Sequence, residues 1–294
     1  MPMLRIVVSR HSAFYSPLIA TVAAGFLEQE GLEGCYLGVP GHGNVIRSLV
    51  AREAHVAQSA VSASWTFLEQ GIPSPVVHFA QINQRDGFFI AARRADPDFS
   101  WSNLLTGRLM FVHGAQPRAM LRYALHRQGL DLSQVQAIDA GATGTMMAAF
   151  RRGDGDFFHE QGPYPQQLEH EGLARVVASV GEAVGPVAFS SLAARSEWLG
   201  TKEAKGFVRA YAKARRWVNQ APAAEVAQGL LPLFPDIAPA ALARSIEHYQ
   251  RLRCWDGELA IDPAHYEAAL DVFLHSRLIT QRHAYASVVA ASDA

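Results

Sequence analysis

The sequence has few cysteines and none of the ligand spacings that usually bind a metal. Only Cys35 and Cys254 occur among its 294 residues. No C-x-x-C, H-x-H or H-E-x-x-H segment is present, although the chain has 12 histidines. Zinc sites commonly use such spacings, so we expect no metal site. The sequence leaves a disulfide between the two cysteines open, but it favours two free thiols, because unpaired cysteines are commonly buried.

Long apolar runs and an excess of charge of one sign are also missing. No apolar run approaches the 18 residues of a membrane-spanning helix, so we expect no membrane insertion. Residues 1–20 contain no apolar segment of the secretory type, which predicts a cytosolic protein, or a periplasmic one if a signal peptide precedes this sequence. Lys and Arg total 26 against 27 Asp and Glu, a net charge of −1. This balance gives little attraction for nucleic acid.

Alternating strand and helix patterns fill roughly the first 190 residues, which predicts an α/β fold. Short apolar runs such as residues 4–8 and 55–59 end in polar or glycine-containing turns, and helical patterns follow them. Residues 185–190 are expected to form an extended crossover. The last 90 residues are predicted to be entirely helical, with helices over residues 202–219, 221–230, 238–251 and 263–276.

The stretch 109–162 contains three predicted strands in a row, and each ends at a turn. The first is followed by Gly114 and a helix, and the second by the turn at residues 141–145 and another helix. The third leads into His159 and Glu160. In open α/β sheets, strand ends that meet helix N-termini form ligand crevices. We therefore predict ligand contacts from Gly114, Gly141, Ala142, Thr143, Gly144 and Thr145.

Polar and aromatic residues at other predicted strand ends complete the predicted ligand site. For each of these residues a purely structural explanation stays open: a tight turn, a surface loop or a plain strand end. Histidine can hydrogen-bond a ligand near neutral pH, aromatic rings can stack on it, and an arginine fork suits carboxylate or sulfonate. Neighbouring residues on a strand point to opposite faces, so His159 and Glu160 should not touch each other. The further candidates are His11, Phe14, Tyr15, His42, Gly43, Gln58, Ser59, Gln81, Arg85, His159 and Glu160.

Several short motifs occur in the order found in one known fold. They are Phe-Tyr-Ser-Pro-Leu at residues 14–18, Glu-Gln-Glu-Gly-Leu at 28–32, the glycine turn and helix at 141–150, and Gly-Asp-Gly-Asp at 153–156. In this order the chain resembles the type II periplasmic-binding-protein fold. Within that fold it looks like the substrate-binding proteins of ABC importers for sulfonates, nitrate and thiamine pyrimidine precursors. The resemblance covers nearly the whole chain.

The resemblance implies two α/β lobes with a ligand cleft between them and a C-terminal helical segment. Residues 1–87 with 188–294 would form one lobe and residues 88–187 the other. The implied function is binding of a small anionic or heteroaromatic molecule without a cofactor, with an ABC permease as partner. The alternative is a cytosolic enzyme on the same fold that acts on an aromatic or pyrimidine-like acid, although the cysteines that two such enzymes use are missing here.

The expected ligand pose combines these observations. The planar or apolar part of the ligand should lie near Phe14 and Tyr15. Its negatively charged group should lie over the turn at residues 142–145, because backbone N–H groups and two threonine hydroxyls can donate hydrogen bonds at this helix start.

Overall fold

The computed structural model describes residues 1–39, 42–94, 98–111 and 114–290. Within these residues, no helix has both the length and the apolar character needed to cross a membrane. The strands are β1 Met3–Val8, β2 Glu33–Gly38, β3 Val56–Ser59, β4 Val77–Asn83, β5 Phe88–Ala92, β6 Arg108–Phe111, β7 Gln136–Ile138, β8 Phe157–Gln161, β9 Arg175–Ser179 and β10 Ser190–Ala194.

The helices follow the strands through most of the chain and then occur alone. They are α1 Ser16–Ala23, α2 His42–Val50, α3 Val61–Leu68, α4 Ala115–Arg127, α5 Thr143–Arg151, α6 Tyr164–His170, α7 Val180–Val184, α8 Ser196–Leu199, α9 Lys202–Gln220, α10 Ala223–Leu230, α11 Pro239–Arg251 and α12 Pro263–His275. The four predicted C-terminal helices are confirmed to within two residues at each end, whereas residues 276–290 contain only a short 3-10 helix at Tyr285–Ser287 and are not entirely helical as expected.

The first sheet has the order β2-β1-β3-β10-β4. Strands β1, β2 and β3 are parallel, and β10 runs antiparallel between β3 and β4. Strand β10 differs from the sequence-based expectation, which was an extended crossover at residues 185–190. Ser190 and Ser191 obscure the strand pattern, yet all five residues of β10 are buried. A polar pair inside a central strand conceals it from an analysis based on apolar runs.

The second sheet has the order β7-β6-β8-β5-β9 and is formed entirely by residues 88–179. Strands β6, β7 and β8 are parallel, so their carboxyl ends lie at one edge of the sheet. Strand β8 extends through Gln161, and Phe111 pairs with His159 in this register. The residues that we expected directly after a third strand, His159 and Glu160, therefore lie within it.

The C-terminal helices contact both halves of the molecule. Helix α9 packs on α1, next to the first sheet, while α11 contacts α6 and α12 contacts α4, which flank the second sheet. Tyr249 of α11 joins them further, because its hydroxyl accepts a hydrogen bond from the Gly162 N–H at 2.7 Å and donates one to the Gly87 oxygen at 2.8 Å. The tail is thus a packing partner of both sheets.

Two expectations about individual residues can be compared directly with the fold. Cys35 is half-buried and Cys254 is fully buried, and both are free thiols, as favoured from the sequence. The sequence pattern that begins at residues 16–18 predicts a helix up to Gly31, but α1 ends at Ala23, and Gly31 instead follows a short 3-10 helix, in a left-handed conformation with φ of 71°. The predicted strand end at Val112 and the turn residue Gly41 lie outside the described residues.

Phe14 is fully buried in the largest hydrophobic core. Its ring lies 5.3 Å from those of Tyr15 and Phe189 and 5.1 Å from that of Tyr249, measured between centroids. Gly87 lies directly against it, since a Cβ atom on Gly87 would approach the Phe14 ring to 2.3 Å. We expected this ring to hold the ligand, but its neighbours in the core surround it.

The Gly87 contact generates a stability prediction. Gly87→Ala should lower the free energy of unfolding by about 1–3 kcal/mol, because the methyl group forces the Phe14 ring to move in a packed core. Gly144→Ala is the matched control, since no atom lies within 4 Å of its Cβ position, and it should not lower stability, because alanine is favoured over glycine in a helix. Urea unfolding of both variants makes the comparison, and equal stability of the two would contradict the tight packing at Gly87.

Candidate functional site

An ion pair joins the two sheets at the edge where their strands end. Arg10 follows β1 of the first sheet, and its Nη2 donates a hydrogen bond to Oε1 of Glu160 in β8 of the second sheet. The Glu160 side chain is fully buried, whereas 20% of the Arg10 side chain is exposed. Buried carboxylates need such partners, because an uncompensated charge in the interior is costly. This contact therefore couples residues that lie 150 positions apart in the sequence.

The carboxylate of Glu160 has two further donors. Thr143 donates from its hydroxyl to Oε2 at 2.8 Å, and the N–H of Gln161 donates to Oε1 at 2.7 Å. Nη2 of Arg10 also lies 3.4 Å from the Thr143 hydroxyl. Thr143 is the first residue of α5, so Glu160 places a negative charge at a helix N-terminus, where it is favoured. The negative charge next to the start of α5, where we expected the anionic group of the ligand, thus belongs to Glu160 of the protein itself.

The first sheet holds the backbone at Arg10 in place, and an aromatic ring of the second sheet contacts its guanidinium. Oε1 of Gln58, at the end of β3, accepts hydrogen bonds from the backbone N–H of Ser9 at 3.2 Å and of Arg10 at 3.4 Å. The guanidinium carbon lies 5.2 Å from the centre of the Phe88 ring. A cation over an aromatic face at this distance is attracted to it. The side chain of Gln58, a predicted ligand contact, therefore positions the backbone at Arg10.

His159 lies on the face of β8 opposite Glu160. Its ring is fully buried and stacks on Phe88, with 4.6 Å between ring centroids and 18° between planes. Neither ring nitrogen has a hydrogen-bond partner among the described residues. Burial, with a smaller effect from the Arg10 charge, lowers the pKa of His159 to about 3. The imidazole is therefore neutral at pH 7 and can offer one donor and one acceptor.

Tyr15 and Gln161 face each other between the sheets. Nε2 of Gln161 donates to the Tyr15 hydroxyl at 3.3 Å, while Oε1 of Gln161 is buried without a partner in the described part of the chain. Burial is the largest of the effects that raise the pKa of Tyr15, so its hydroxyl stays protonated. Tyr15, a predicted ligand contact, thus lies beside polar groups of the second sheet.

Asp86 is a buried carboxyl group in the chain segment between the two sheets. Its Oδ1 accepts a hydrogen bond from the Phe88 N–H at 2.6 Å, and Oδ2 has no partner among residues that the structure describes. Burial raises the pKa of Asp86 to about 8, although the Phe88 N–H and the Arg10 charge act in the opposite direction. The group is therefore largely protonated at pH 7 and can donate a hydrogen bond. We call Arg10, Tyr15, Asp86, His159, Glu160 and Gln161 the inter-sheet cluster.

His11 is fixed by contacts at the rim of this cluster. Its Nδ1 lies 3.2 Å from the Tyr36 hydroxyl and its Nε2 lies 2.8 Å from the Leu233 oxygen. The ring also stacks on Phe234 with 4.4 Å between centroids. Burial lowers the pKa of His11, so the ring is predominantly neutral at pH 7. Both of its nitrogens already have protein partners, so the ring of this predicted ligand contact is engaged within the protein.

The remaining predicted contacts from the first sheet lie apart from the cluster or carry no described contact with it. Oε1 of Gln81 lies 3.4 Å from the N–H of Asp262 in the helical tail, and Arg85 donates to the Gly181 oxygen at 3.3 Å. Ser59 is buried at the end of β3. Gly43 is exposed in α2, and the side chain of His42 lies outside the described residues.

The turns of the second sheet cap its helices. Gly114 precedes α4 as its N-cap residue, and Ala142 does the same for α5. Gly141 has φ of 80°, which favours glycine. Gly144 and Thr145 are exposed in the first turn of α5. Of these predicted residues, only Thr143 has a described hydrogen bond to the inter-sheet cluster.

Three cluster residues were missed in the sequence. Arg10 directly follows β1, so the rule that selected His11 at a strand end applies equally to it. Gln161 follows Glu160 in the same strand, and it was not selected as a ligand contact because its side chain is uncharged. Asp86 could have been found from its position, because it lies next to Gly87 at the expected boundary between the two lobes, where the chain passes from one sheet to the other.

Comparisons with known proteins agree with this architecture. The model of the NMT1-like family matches residues 12–231. YtlA of Bacillus subtilis (strain 168), provisionally named a binding protein, is 28% identical over 264 residues, which covers 87% of this chain and 78% of YtlA. The alkanesulfonate-binding protein SsuA of Xanthomonas axonopodis pv. citri, solved with MOPS bound, is 16% identical with a TM-score of 0.72, covering 96% of this chain and 95% of SsuA.

A second solved structure is also similar. It is the ligand-binding component of an ABC-type import system from Staphylococcus aureus, solved with zinc bound, which is 16% identical with a TM-score of 0.76 and covers 99% of this chain and 97% of its own. At such low identity these structures show the fold alone. They confirm the predicted α/β fold of the periplasmic-binding-protein type.

The buried carboxyl of Asp86 generates a pH-dependent prediction. Its folded pKa of about 8 exceeds the ordinary value of 3.8, so its contribution to stability is full below pH 3.8 and is lost as pH rises through 8. Asp86→Asn keeps an oxygen for the Phe88 N–H and removes this loss. The free energy of unfolding of the variant minus that of wild type should therefore increase from pH 5 to pH 8 by more than about 1 kcal/mol.

Urea unfolding at the two pH values measures this gain. Asp131→Asn is the control, because hydrogen bonds from Ser133 lower the pKa of that exposed carboxylate, and it should show no such gain. An Asp86→Asn difference that stays constant from pH 5 to pH 8 would show that Asp86 is already ionised in the folded protein.

Proposed function

The chain belongs to the NMT1-like family, and from this premise we propose that it binds a small polar molecule between its two sheets. The proposed role is that of a substrate-binding protein of the ABC-importer type. The observation that carries the proposal is the inter-sheet cluster, in which both sheets contribute buried polar groups to one place. Ligand sites in α/β proteins are found at such strand ends.

Unpartnered polar atoms in the cluster support a recognition role. Both nitrogens of His159, Oδ2 of Asp86 and Oε1 of Gln161 are buried without partners within the described ranges. Each such atom costs about 1–3 kcal/mol when it stays unpaired. A ligand that supplies partners recovers part of this free energy, which favours binding here over packing alone.

The cluster also suggests the kind of ligand that fits. Neutral His159 offers a donor and an acceptor, protonated Asp86 offers a donor, and the Gln161 oxygen offers an acceptor. Phe88 and Tyr15 provide aromatic surface beside them. A compact ligand with several hydrogen-bonding groups on a planar or apolar body suits this set, and Tyr15, Thr143, His159 and Glu160 remain our proposed contacts from the sequence.

We propose in addition that residues 1–87 with 188–294 and residues 88–187 act as two lobes around this ligand. The support is that the second sheet consists only of strands from residues 88–179, while β10 returns to the first sheet. Small-angle scattering with and without a bound ligand tests this proposal. A radius of gyration that does not change on binding would count against lobe closure.

The proposed role implies a partner, whereas the compartment is a separate prediction made from residues 1–20. A permease of the ABC type is the expected partner, and its recovery with the tagged protein from solubilised membranes would support the role. The location, cytosolic or else periplasmic if a signal peptide precedes this sequence, stays a prediction that cell fractionation tests. No contact in the inter-sheet cluster favours the enzyme alternative over binding.

Native mass spectrometry of the purified protein tests the binding function. The wild-type protein should carry a small-molecule mass, and Arg10→Gln should lose most of it, because Arg10 reaches the centre of the cluster. Arg151→Gln is the matched control, since it removes only a surface pair with Glu171, with nitrogen–oxygen distances of 2.6 and 2.9 Å. If Arg10→Gln stays folded and keeps the same mass at the same occupancy, the ligand lies elsewhere.

A further inference from the structure

The charges in the inter-sheet cluster are already balanced without a ligand. Arg10 supplies the positive charge and Glu160 the negative one, in direct contact. Asp86, the other acidic group of the cluster, is held largely protonated by its burial. An incoming anion therefore does not meet an unpaired cation in this group of residues.

Glu160 occupies the place where an anion would otherwise be held. It accepts hydrogen bonds from the Arg10 guanidinium, the Thr143 hydroxyl and the Gln161 N–H. One of these donors, the Thr143 hydroxyl at the start of α5, belongs to the turn that we expected to hold a negatively charged group of the ligand. A carboxylate has about four acceptor positions, so one position remains for a donor from a ligand.

A simple anion would have to displace Glu160 from Arg10. The Glu160 side chain is fully buried, and a carboxylate left in the interior without its partner is strongly unfavourable. The anion would also bring its own charge close to that carboxylate. Both effects oppose binding of a monoanion that has no donor group.

We propose that Glu160 is a specificity-determining residue that excludes simple monoanions such as nitrate and alkanesulfonates from the inter-sheet cluster. A ligand that binds here carries a hydrogen-bond donor for Glu160 beside an acceptor or anionic group for Arg10. This inference rests on the proposed binding function and deepens it. It separates the chain in specificity from SsuA, which shares its fold and is named an alkanesulfonate-binding protein.

Glu160→Gln tests the exclusion directly. The amide keeps an oxygen that can accept from Thr143 or Gln161, but it removes the charge that neutralises Arg10. Calorimetry with ethanesulfonate and with nitrate should show binding to Glu160→Gln that is at least tenfold tighter than binding to wild type. The double variant Arg10→Gln/Glu160→Gln should lose this gain, because the freed cation is then missing.

The result that overturns the inference is equally specific. If wild type binds either anion as tightly as Glu160→Gln does, or if the double variant keeps the gain, Glu160 does not exclude anions. Should Glu160→Gln fail to fold, the unaltered protein decides: sub-millimolar, Arg10-dependent binding of ethanesulfonate would refute the exclusion, and its absence would support it. Failure of the binding function would appear separately, as the absence of any co-purified mass.

Discussion

The contact between Arg10 and Glu160 is the interaction on which the site depends. It connects the first sheet to the second, and it compensates a carboxylate that is fully buried. Because a buried charge needs a partner, the positions of Arg10 and Glu160 depend on each other, and residues of both sheets hold the pair in place. The Gln58 side chain accepts a hydrogen bond from the backbone N–H of Arg10, and Thr143 and Gln161 donate hydrogen bonds to Glu160. The polar groups without partners lie around this fixed pair.

Strand register brings these groups together. In β8, His159 and Glu160 follow one another and so point to opposite faces. His159 stacks on Phe88 on one face, and Glu160 meets Thr143 and Arg10 on the other. This strand thus presents a neutral ring on one face and a charged carboxylate on the other. A shift of one residue in this register would exchange the two.

Much of the fold could be predicted from the sequence, because local patterns determine it. The alternation of strands and helices, the helical tail and the glycine turns all have signals within a few residues. Strand β10 was missed, since its serines interrupt the apolar run that would have revealed it. Phe14 was assigned to the ligand because it lies in a loop, yet Gly87, distant in sequence, completes a core around it. The strand-end position of Arg10 is a local signal, but its pairing with Glu160 is not, because the two residues lie 150 positions apart and no local pattern records such a contact.

A double-mutant cycle on Arg10 and Glu160 tests the central claim most directly. The free energies of unfolding of Arg10→Gln, Glu160→Gln and the double variant are compared with that of wild type by urea unfolding. The account predicts a coupling free energy of at least about 1 kcal/mol, because residues in contact within one network are not additive. Additivity within about 0.3 kcal/mol would show that the pair does not hold the two sheets together.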